Sequence, residues 1–332
     1  MLLSNTQFFF NRRVTLSSLS RWQRVKSVGI ISGSRYNDSP MILPAESPLG
    51  IPLPIACVII GVLGAMIGSF LNVVIHRLPR NQSIVFPSST CPECRAPIAA
   101  YDNIPILSFM ILRGRCRKCR TPISARYPAV EALTAFVFAA VAWRGGFSWA
   151  LPFDLFFIAA MVALLFIDAE NMILPNAITY PGMLFALIAR LAIPYLAGPN
   201  RVDDLAHLGA IVPPNLPLGI VSLIGAAIGA LAGGGSLWLM GFVWEKLRGV
   251  EAMGLGDVKM MIVVGAYLGW RLTILTILLA VFSGSLVGIA IMARRGRNLQ
   301  MMLPFGIFLG IGAVLSLLIG TRIVEWYATQ FR

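Results

Sequence analysis

Long apolar stretches recur along the 332-residue chain and constrain its fold more than any other feature. A helix of roughly 20 predominantly apolar residues is long enough to cross the hydrocarbon core of a bilayer. The chain has eight stretches near or above this length, of which the second and sixth are short: 53–75, 128–143, 149–167, 176–197, 217–243, 258–270, 271–293 and 303–322. The sequence therefore predicts an all-α polytopic membrane protein with about eight transmembrane helices.

The composition excludes a soluble globular protein. Hydrophobic residues make up 57% of the chain and charged residues only 12%, whereas a soluble domain has roughly 25% charged residues. A surface with so few charges indicates that lipid covers most of it. The same apolar content excludes an intrinsically disordered chain.

The positive charge is concentrated in two segments. Residues 77–127 contain nine basic and two acidic residues, and a basic loop beside apolar spans is typical of the cytoplasmic side of a membrane. Nucleic-acid binding is the other interpretation of such a patch, but this patch lies between spans. If 77–127 is cytoplasmic, the alternation of spans places 168–175, 244–257 and 294–302 on the same side.

The N-terminal segment conflicts with this topology. Residues 1–40 contain six basic residues against Asp38, yet the alternation places them on the opposite side. Either the segment is a targeting sequence or translation begins at Met41. We therefore divide the chain into an N-terminal extension (1–50), a first transmembrane helix (51–76), a cytoplasmic module (77–127) and a transmembrane bundle (128–323).

Four of the five cysteines form two CxxC pairs, CPEC at 91–94 and CRKC at 116–119. Two such pairs supply four thiolates, which is the usual ligand set of a structural zinc ion. The surrounding Arg and Lys residues are expected to lower the pKa of the thiols. Two disulfides are the alternative, but a cytoplasmic loop is reducing. The predicted metal ligands are therefore Cys91, Cys94, Cys116 and Cys119.

Two carboxylates lie at the ends of predicted spans on the cytoplasmic side. Asp168 ends the third span and Asp257, preceded by Gly254 and Gly256, begins the sixth. An ionisable residue at membrane depth is a functional hypothesis by default. Two adjacent carboxylates share one proton, which is the chemistry of aspartic proteases. Helix capping and a proton relay in a transporter are the alternatives. We expect Gly254 and Gly256 to permit close backbone approach and unusual backbone angles.

Glycines in two spans follow a small-xxx-small spacing. Gly64 and Gly68 lie in the first span, and Gly225, Gly229 and Gly233 lie in the fifth. This spacing is typical of transmembrane helices that pack closely. We therefore expect these glycines to have a packing role and no role in chemistry.

Several motifs together resemble one known family, the type IV prepilin peptidases. The resemblance covers about residues 55–312, and residues 1–50 lie outside it. The motifs are GSFLNVVIHRLP (68–79), CPEC, NIPILSFMILRGRCRKC (103–119), ISARYPAVEALTA (123–135), FIDAENMILPN (166–176), EAMGLGDVKMM (251–261) and LPFGIFLG (303–310).

The resemblance implies a bifunctional leader peptidase and N-methyltransferase, an intramembrane aspartic protease with a GxGD signature. The catalytic aspartates of the family fall on Asp168 and Asp257, while Glu170 and Asn176 stand where the family often has further aspartates. Its zinc module corresponds to the two CxxC pairs.

The implied substrates are prepilins of type IV pili and pseudopilins of type II secretion. Their basic leader is removed after a glycine, and the new N-terminus is methylated by S-adenosylmethionine. The implied partners are the pilus or secretion machinery and membrane lipid, and the implied location is the bacterial inner membrane. The methyl-donor site has no visible glycine-rich fingerprint. A member with peptidase activity alone, a proton-coupled transporter and a zinc-stabilised assembly factor without catalysis are the alternatives.

Overall fold

The computed structural model describes residues 50–202, 204, 208, 212–213, 215–249, 253–295 and 304–330. Met41 and the predicted extension up to residue 49 lie outside the described residues. Within those ranges the regular structure is helical, and two isolated β-bridges pair described residues with each other, Thr90 with Pro97 and Arg115 with Pro122. The prediction of an all-α protein is confirmed.

Nine helices, α1 to α9, are formed by the described residues. In chain order they are Leu53–Arg77, Leu107–Ile111, Arg126–Gly145, Leu151–Asn171, Asn176–Leu196, Leu218–Arg248, Leu255–Leu268, Trp270–Arg295 and Phe305–Gln330. One π-helical turn interrupts α6 at Leu231–Gly235, and another interrupts α9 at Ser316–Gly320. Short 3₁₀ turns occupy Leu78–Arg80, Ala100–Asn103 and Pro199–Arg201.

Proline and glycine mark where many of these helices begin and end. Pro175, Pro217 and Pro304 immediately precede α5, α6 and α9. Proline has no backbone N–H, and the first turn of a helix leaves its N–H groups unbonded in any case. Gly249 follows α6 with φ +67°, a left-handed conformation that costs glycine little.

Six helices of the described part are long and apolar enough to cross a membrane: α1, α4, α5, α6, α8 and α9. The chain is therefore a multi-pass membrane protein. The other two predicted spans are present as α3, with 20 residues, and α7, with 14 residues. They correspond to the two stretches that are short in the sequence. The short helix α2 lies in the cysteine-containing segment between α1 and α3.

Glycines bring pairs of helices into backbone contact. A Cβ atom added at Gly68 of α1 would lie 2.8 Å from Cα of Glu131 in α3. One added at Gly229 of α6 would lie 2.1 Å from the backbone oxygen of Gly265 in α7. Real Cβ contacts this short do not occur, so the helices cross with only hydrogen atoms between the two backbones. The predicted packing role of these glycines is confirmed.

The turns at one end of the bundle are connected by polar contacts. The Arg190 guanidinium of α5 pairs with Asp204 at 2.7 Å, and both side chains are almost completely buried. Arg201 donates a hydrogen bond to the backbone oxygen of Gly145, and Tyr267 of α7 donates to Asp154 of α4 at 2.7 Å. These contacts bring together helix ends that lie opposite the two candidate aspartates.

Candidate active site

Asp168 and Asp257 come from different helices and lie at the same end of the bundle. Asp168 is in the last turn of α4 and is only 5% exposed. Asp257 is in the first turn of α7 and is partly buried. Leu174, in the connection that follows α4, contacts the position of Gly256, so the two sequence motifs pack against each other.

A glycine of α9 lies directly against both carboxyl groups. A Cβ atom at Gly306 would be 2.7 Å from Oδ2 of Asp168 and 3.3 Å from Oδ1 of Asp257. The two aspartates are thus within the roughly 4–6 Å over which one carboxylate disfavours the ionisation of another. Two such groups hold one proton between them most easily, and they titrate as a pair.

The beginnings of two helices point at this pair. The backbone N–H groups of Gly306 and Ile307, in the first turn of α9, are directed at the Asp168 carboxyl group. Asp257 is itself in the first turn of α7. Because the N-terminus of a helix carries a partial positive charge and unbonded N–H groups, both helices stabilise negative charge here.

One oxygen of the pair is available for chemistry. Oδ2 of Asp168 is buried and, among the residues that the structure describes, has no hydrogen-bond partner. A buried acceptor without a partner costs free energy unless a water molecule or a substrate supplies a donor. The arrangement can therefore position a water molecule beside an ionised carboxylate.

Helix capping does not explain either aspartate. The residue that caps the N-terminus of α7 is Gly254, and no side chain forms a capping hydrogen bond there. Asp168 is at the C-terminal end of α4, where a negative charge is unfavourable to the helix dipole. The capping interpretation is wrong for both residues.

The two glycines before Asp257 differ from expectation in one respect. Gly254 has φ −71° and ψ 137°, an extended conformation that any residue adopts, and Gly256 is not among the residues with positive φ. The expectation of unusual backbone angles is therefore wrong. Close approach is present at Gly256, where a Cβ atom would lie 3.0 Å from Cβ of Leu174.

The residues that replace the family's further aspartates have partners of their own. Glu170 forms an ion pair with Arg126 of α3 at 2.5 Å. Asn176 accepts a hydrogen bond from Lys259 of α7 at 2.9 Å, and Lys259 also lies over the ring of Tyr180. These contacts connect α3 to α4 and α5 to α7 around the aspartate pair.

The four predicted metal ligands form one cluster between α1 and α3. The sulfur atoms of Cys91, Cys94, Cys116 and Cys119 all lie within 4.8 Å of one another, and the Cys91–Cys119 distance is 3.8 Å. Tetrahedral coordination with Zn–S bonds of about 2.3 Å requires sulfur atoms about 3.8 Å apart. All five cysteines of the chain are free thiols, so the disulfide alternative is wrong. The donor set fits a metal ion.

The two CxxC pairs of the cluster lie in turns with the same backbone conformation. In each, the backbone N–H of the first cysteine donates to the residue five positions later, from Cys91 to Ala96 and from Cys116 to Thr121, both at 2.9 Å. Arg95 and Arg120 follow the second cysteine of each pair with φ of 54° and 62°. The left-handed residue reverses the chain so that both sulfur atoms of a pair point to one side.

Hydrogen bonds set the acidity of the thiols in this cluster. The pKa of Cys119 is lowered to about 6, first by the Thr121 hydroxyl, whose oxygen is 3.2 Å from the sulfur, and then by the Thr121 backbone N–H. The pKa of Cys116 is also lowered, by backbone N–H groups of Cys119 and Lys118. The backbone N–H of Ala96 acts in the same direction on Cys94, but desolvation and the other thiols raise its pKa to about 11. The lowering at Cys116 and Cys119 therefore comes from hydrogen bonds rather than from basic side chains.

Sequence reasoning missed the contribution of α9. Gly306 and Ile307 lie in the LPFGIFLG motif, but nothing in that string indicates contact with Asp168 or Asp257, which are distant in the sequence. A glycine two residues after Pro304, at the start of an apolar span, was the available signal. The contacts of Lys259 and Arg126 were likewise not predicted.

Comparisons with known proteins divide the chain into two matched regions. Residues 62–145 match the family model described as the bacterial peptidase A24 N-terminal domain, and residues 155–289 match the type IV leader peptidase family. The cysteine cluster lies in the first region, and Asp168 and Asp257 lie in the second.

Curated proteins named prepilin leader peptidase/N-methyltransferase are similar to most of the chain. The Aeromonas hydrophila protein is 37% identical, covering 80% of this chain and 91% of the relative. The Neisseria gonorrhoeae protein is 36% identical, with 76% and 88% covered. The Pseudomonas aeruginosa protein is 32% identical, with 85% and 95% covered. No solved structure matches the chain.

Proposed function

Because the chain belongs to the type IV leader peptidase family, we propose that it removes the leader peptide from prepilins and pseudopilins and then N-methylates the new N-terminal residue. The observation that carries the proposal is the pairing of Asp168 and Asp257 against Gly306, at the end of the bundle that the charge distribution assigns to the cytoplasm. A basic leader is in the cytoplasm and an apolar helix is in the bilayer, so the scissile bond of such a substrate reaches this level.

The proposed mechanism uses the aspartates as an acid and a base. The ionised carboxylate takes a proton from a water molecule, whose oxygen attacks the scissile carbonyl carbon. The protonated carboxyl group donates its proton to the carbonyl oxygen. The tetrahedral intermediate then collapses: the C–N bond breaks as the leaving amine takes a proton from the first carboxyl group, and a hydroxyl group of the intermediate returns its proton to the second carboxylate, which restores the starting pair. The helix dipoles of α7 and α9 stabilise the charge that remains on the pair.

We propose that the four-cysteine cluster binds one structural Zn²⁺. Four protein ligands leave no open coordination position, so the ion would stabilise the segment and take no part in chemistry. That segment has few large buried side chains: only Cys91 and Ser108 of residues 81–125 are buried. A bound ion would supply folding free energy that the segment otherwise lacks.

S-adenosylmethionine is the proposed methyl donor, and it supplies an electrophilic methyl group when bound. The proposed location is the bacterial inner membrane, with the pilus or type II secretion machinery as partner.

Substitution of the aspartates tests the protease mechanism. Asp168→Asn, Asp257→Asn and the double variant should all be nearly inactive in leader cleavage, with similar residual rates, because groups that act as a unit show non-additive losses. Methylation of a substrate that is already cleaved should continue in all three. Both products are measured by mass spectrometry on purified protein.

Glu170→Gln is the matched control. It removes a carboxylate at the same membrane edge, and an exposed ion pair contributes only about 0–1 kcal/mol, so substantial cleavage should remain. Near-normal cleavage by a well-inserted Asp257→Asn variant would instead favour the relay interpretation. Cleavage by the wild type without any methylation would identify a member with peptidase activity alone.

A further inference from the structure

A second group of buried polar side chains lies where α1 meets α3, on helices that carry neither aspartate. Glu131 of α3 is 8% exposed and Asn72 of α1 is 4% exposed. Glu131 is five residues into α3, about 7.5 Å along the helix axis from Arg126. A carboxylate at this depth is costly and indicates a function.

The contacts of this group leave one acceptor without a partner. The Glu131 carboxylate accepts hydrogen bonds from the backbone N–H of Ile106, at 2.7 Å, and from the Ser69 hydroxyl. The side-chain amide nitrogen of Asn72 donates to the backbone oxygen of Tyr127 at 3.0 Å. A carbonyl oxygen only accepts, so the amide orientation is fixed. Oδ1 of Asn72 is then buried with no partner in the described part of the chain.

The two acceptors belong to one site. Tyr127 is one helical turn before Glu131, and Asn72 is one turn after Gly68, whose position contacts Glu131. Residues four apart share a helix face, so Oδ1 of Asn72 and the Glu131 carboxylate face the same interface at neighbouring levels. Anchoring of a loop would explain the bond to Ile106, but it would not explain an orphaned amide oxygen.

A strained turn covers this site. Ile106 has φ 61° and ψ −50°, and the N–H of Leu107 donates to the backbone oxygen of Pro105 at 2.5 Å. This is a classic γ-turn, which is rare, and positive φ is especially costly for a β-branched residue. Such strain persists only where surrounding contacts determine the conformation. Three hydrogen bonds fix the conformation of this turn. Ile106 donates to Glu131, and the Ser108 hydroxyl donates to the backbone oxygen of Tyr101 and accepts from the backbone N–H of Ile104.

We propose that Glu131 and Asn72 bind the new N-terminal amine of the cleaved substrate and prepare it for methylation. A primary ammonium has three N–H donors, and the site offers a carboxylate and an unpaired amide oxygen. The amine is followed by an apolar helix, and the site lies beside lipid-facing spans close to a membrane edge. The inference rests on the proposed function, and it assigns the second activity to residues within the N-terminal match, 62–145.

The chemistry requires the amine to lose a proton first. The Glu131 carboxylate takes one proton from the ammonium, which leaves a lone pair on nitrogen. That lone pair forms the new N–C bond as the S–CH₃ bond of the sulfonium donor breaks, and the bonding pair goes to sulfur. The product is a methylated ammonium, and Glu131 then releases the proton that it took to solvent, which restores the carboxylate.

The test compares Glu131→Gln with wild type, using the full-length protein in nanodiscs. Glutamine keeps the size of the side chain and an oxygen for the Ile106 N–H, but it removes the base. We expect cleavage of an uncleaved substrate to stay within about twofold, because the aspartate pair is elsewhere. Methylation should fall at least about 100-fold. Binding of a synthetic mature peptide, an apolar helix of about 20 residues with a free N-terminus, should weaken roughly 10-fold, while binding of radiolabelled S-adenosylmethionine should not change.

Two further variants separate amine binding from loop anchoring. Asn72→Leu should weaken peptide binding and methylation while cleavage continues. If Glu131→Gln fails to insert, the same measurements on Asn72→Leu test whether the site binds the substrate amine. Ser108→Ala loosens the same loop without touching either acceptor, so both activities should remain.

Unchanged methylation in Glu131→Gln would overturn the inference. So would a loss of methylation in Ser108→Ala as large as that in Glu131→Gln. A Glu131→Gln variant that binds S-adenosylmethionine more weakly but binds the peptide normally would also overturn it. Failure of the wild type to methylate would instead contradict the second proposed activity, and the inference with it.

Discussion

Gly306 determines how closely α9 can approach the two carboxyl groups. Any side chain at this position would occupy the space beside Oδ2 of Asp168 and Oδ1 of Asp257. The backbone N–H groups of Gly306 and of the next residue, Ile307, are directed at Asp168. The first turn of α9 therefore provides both the room and the hydrogen bonding of the candidate site.

We expect Gly306→Ala to reduce leader cleavage by at least about 100-fold, because a methyl group 2.7 Å from Oδ2 of Asp168 must displace the carboxyl group or the helix. Gly254→Ala is the control, since the nearest atom to its Cβ would be 3.9 Å away and its cleavage rate should stay near wild type. Rates are measured at equal amounts of inserted protein. Equal activity of the two variants would contradict the described geometry.

Thr121 controls the acidity of a single ligand, which gives metal binding a predictable pH dependence. The pKa of Cys119 is about 6, below its ordinary value of 9.0, so its thiolate persists above pH 6 and is lost as the pH falls through that value. Zinc content should be near one per chain at pH 7 and should decrease as the pH falls, because protons compete with the metal for all four thiolates. Thr121→Val should move this loss to higher pH.

Zinc content is measured by atomic absorption after dialysis at each pH. Cys91→Ser should lower the content at every pH and expose residues 80–125 to proteases, whereas Cys57→Ser, which changes a cysteine buried in α1, should not. Full zinc occupancy in Cys91→Ser would contradict the four-thiolate site.

At the scale of helices, the crossing of α6 and α7 positions the helix that carries Asp257. Gly229 and Gly265 meet backbone to backbone, with each added Cβ within 2.1 Å of the opposite carbonyl oxygen. The π-helical turn at Leu231–Gly235 follows directly and places Gly233 and Gly234 against Met261 and Ile262. The close contact therefore extends over two turns of each helix.

Gly229→Ala should destabilise the protein by about 1–3 kcal/mol, because a rigid backbone atom cannot move aside as a flexible side chain would. The midpoint of thermal unfolding in detergent should fall, and cleavage should fall with it as α7 shifts. Gly235→Ala is the matched control on the same helix, since the nearest atoms to its Cβ would be 3.9 Å away. An unchanged midpoint in Gly229→Ala would show that α6 and α7 do not cross at this glycine.

Across the whole molecule, the sequence was informative wherever a local pattern determines the structure. Apolar length predicted the spans, CxxC spacing predicted the four-thiol cluster, and charge at span ends selected Asp168 and Asp257. The role of Gly306 and the partners of Glu131 could not be predicted, because they depend on which helices become neighbours. The capping interpretation failed for a related reason, since the sequence does not show whether a carboxylate accepts hydrogen bonds from its own helix or from another one.

The topology conflict in the first 40 residues leads to a prediction for the full chain. We expect a chain that begins at Met41 to insert and to cleave prepilin as well as the complete sequence, because the basic residues before Met41 contradict the orientation of every later span. Insertion is measured by membrane fractionation and cleavage by mass spectrometry. Loss of cleavage on truncation would show that the segment contributes to activity.

The contact of α9 with Asp168 also governs when activity can begin during synthesis. Asp168, Asp257 and Gly306 leave the ribosome in that order, with several spans between the first and the last. A nascent chain that already contains both aspartates still lacks the helix that binds one of them. The proposed protease is therefore silent until α9 enters the bilayer, which prevents premature hydrolysis of neighbouring membrane proteins.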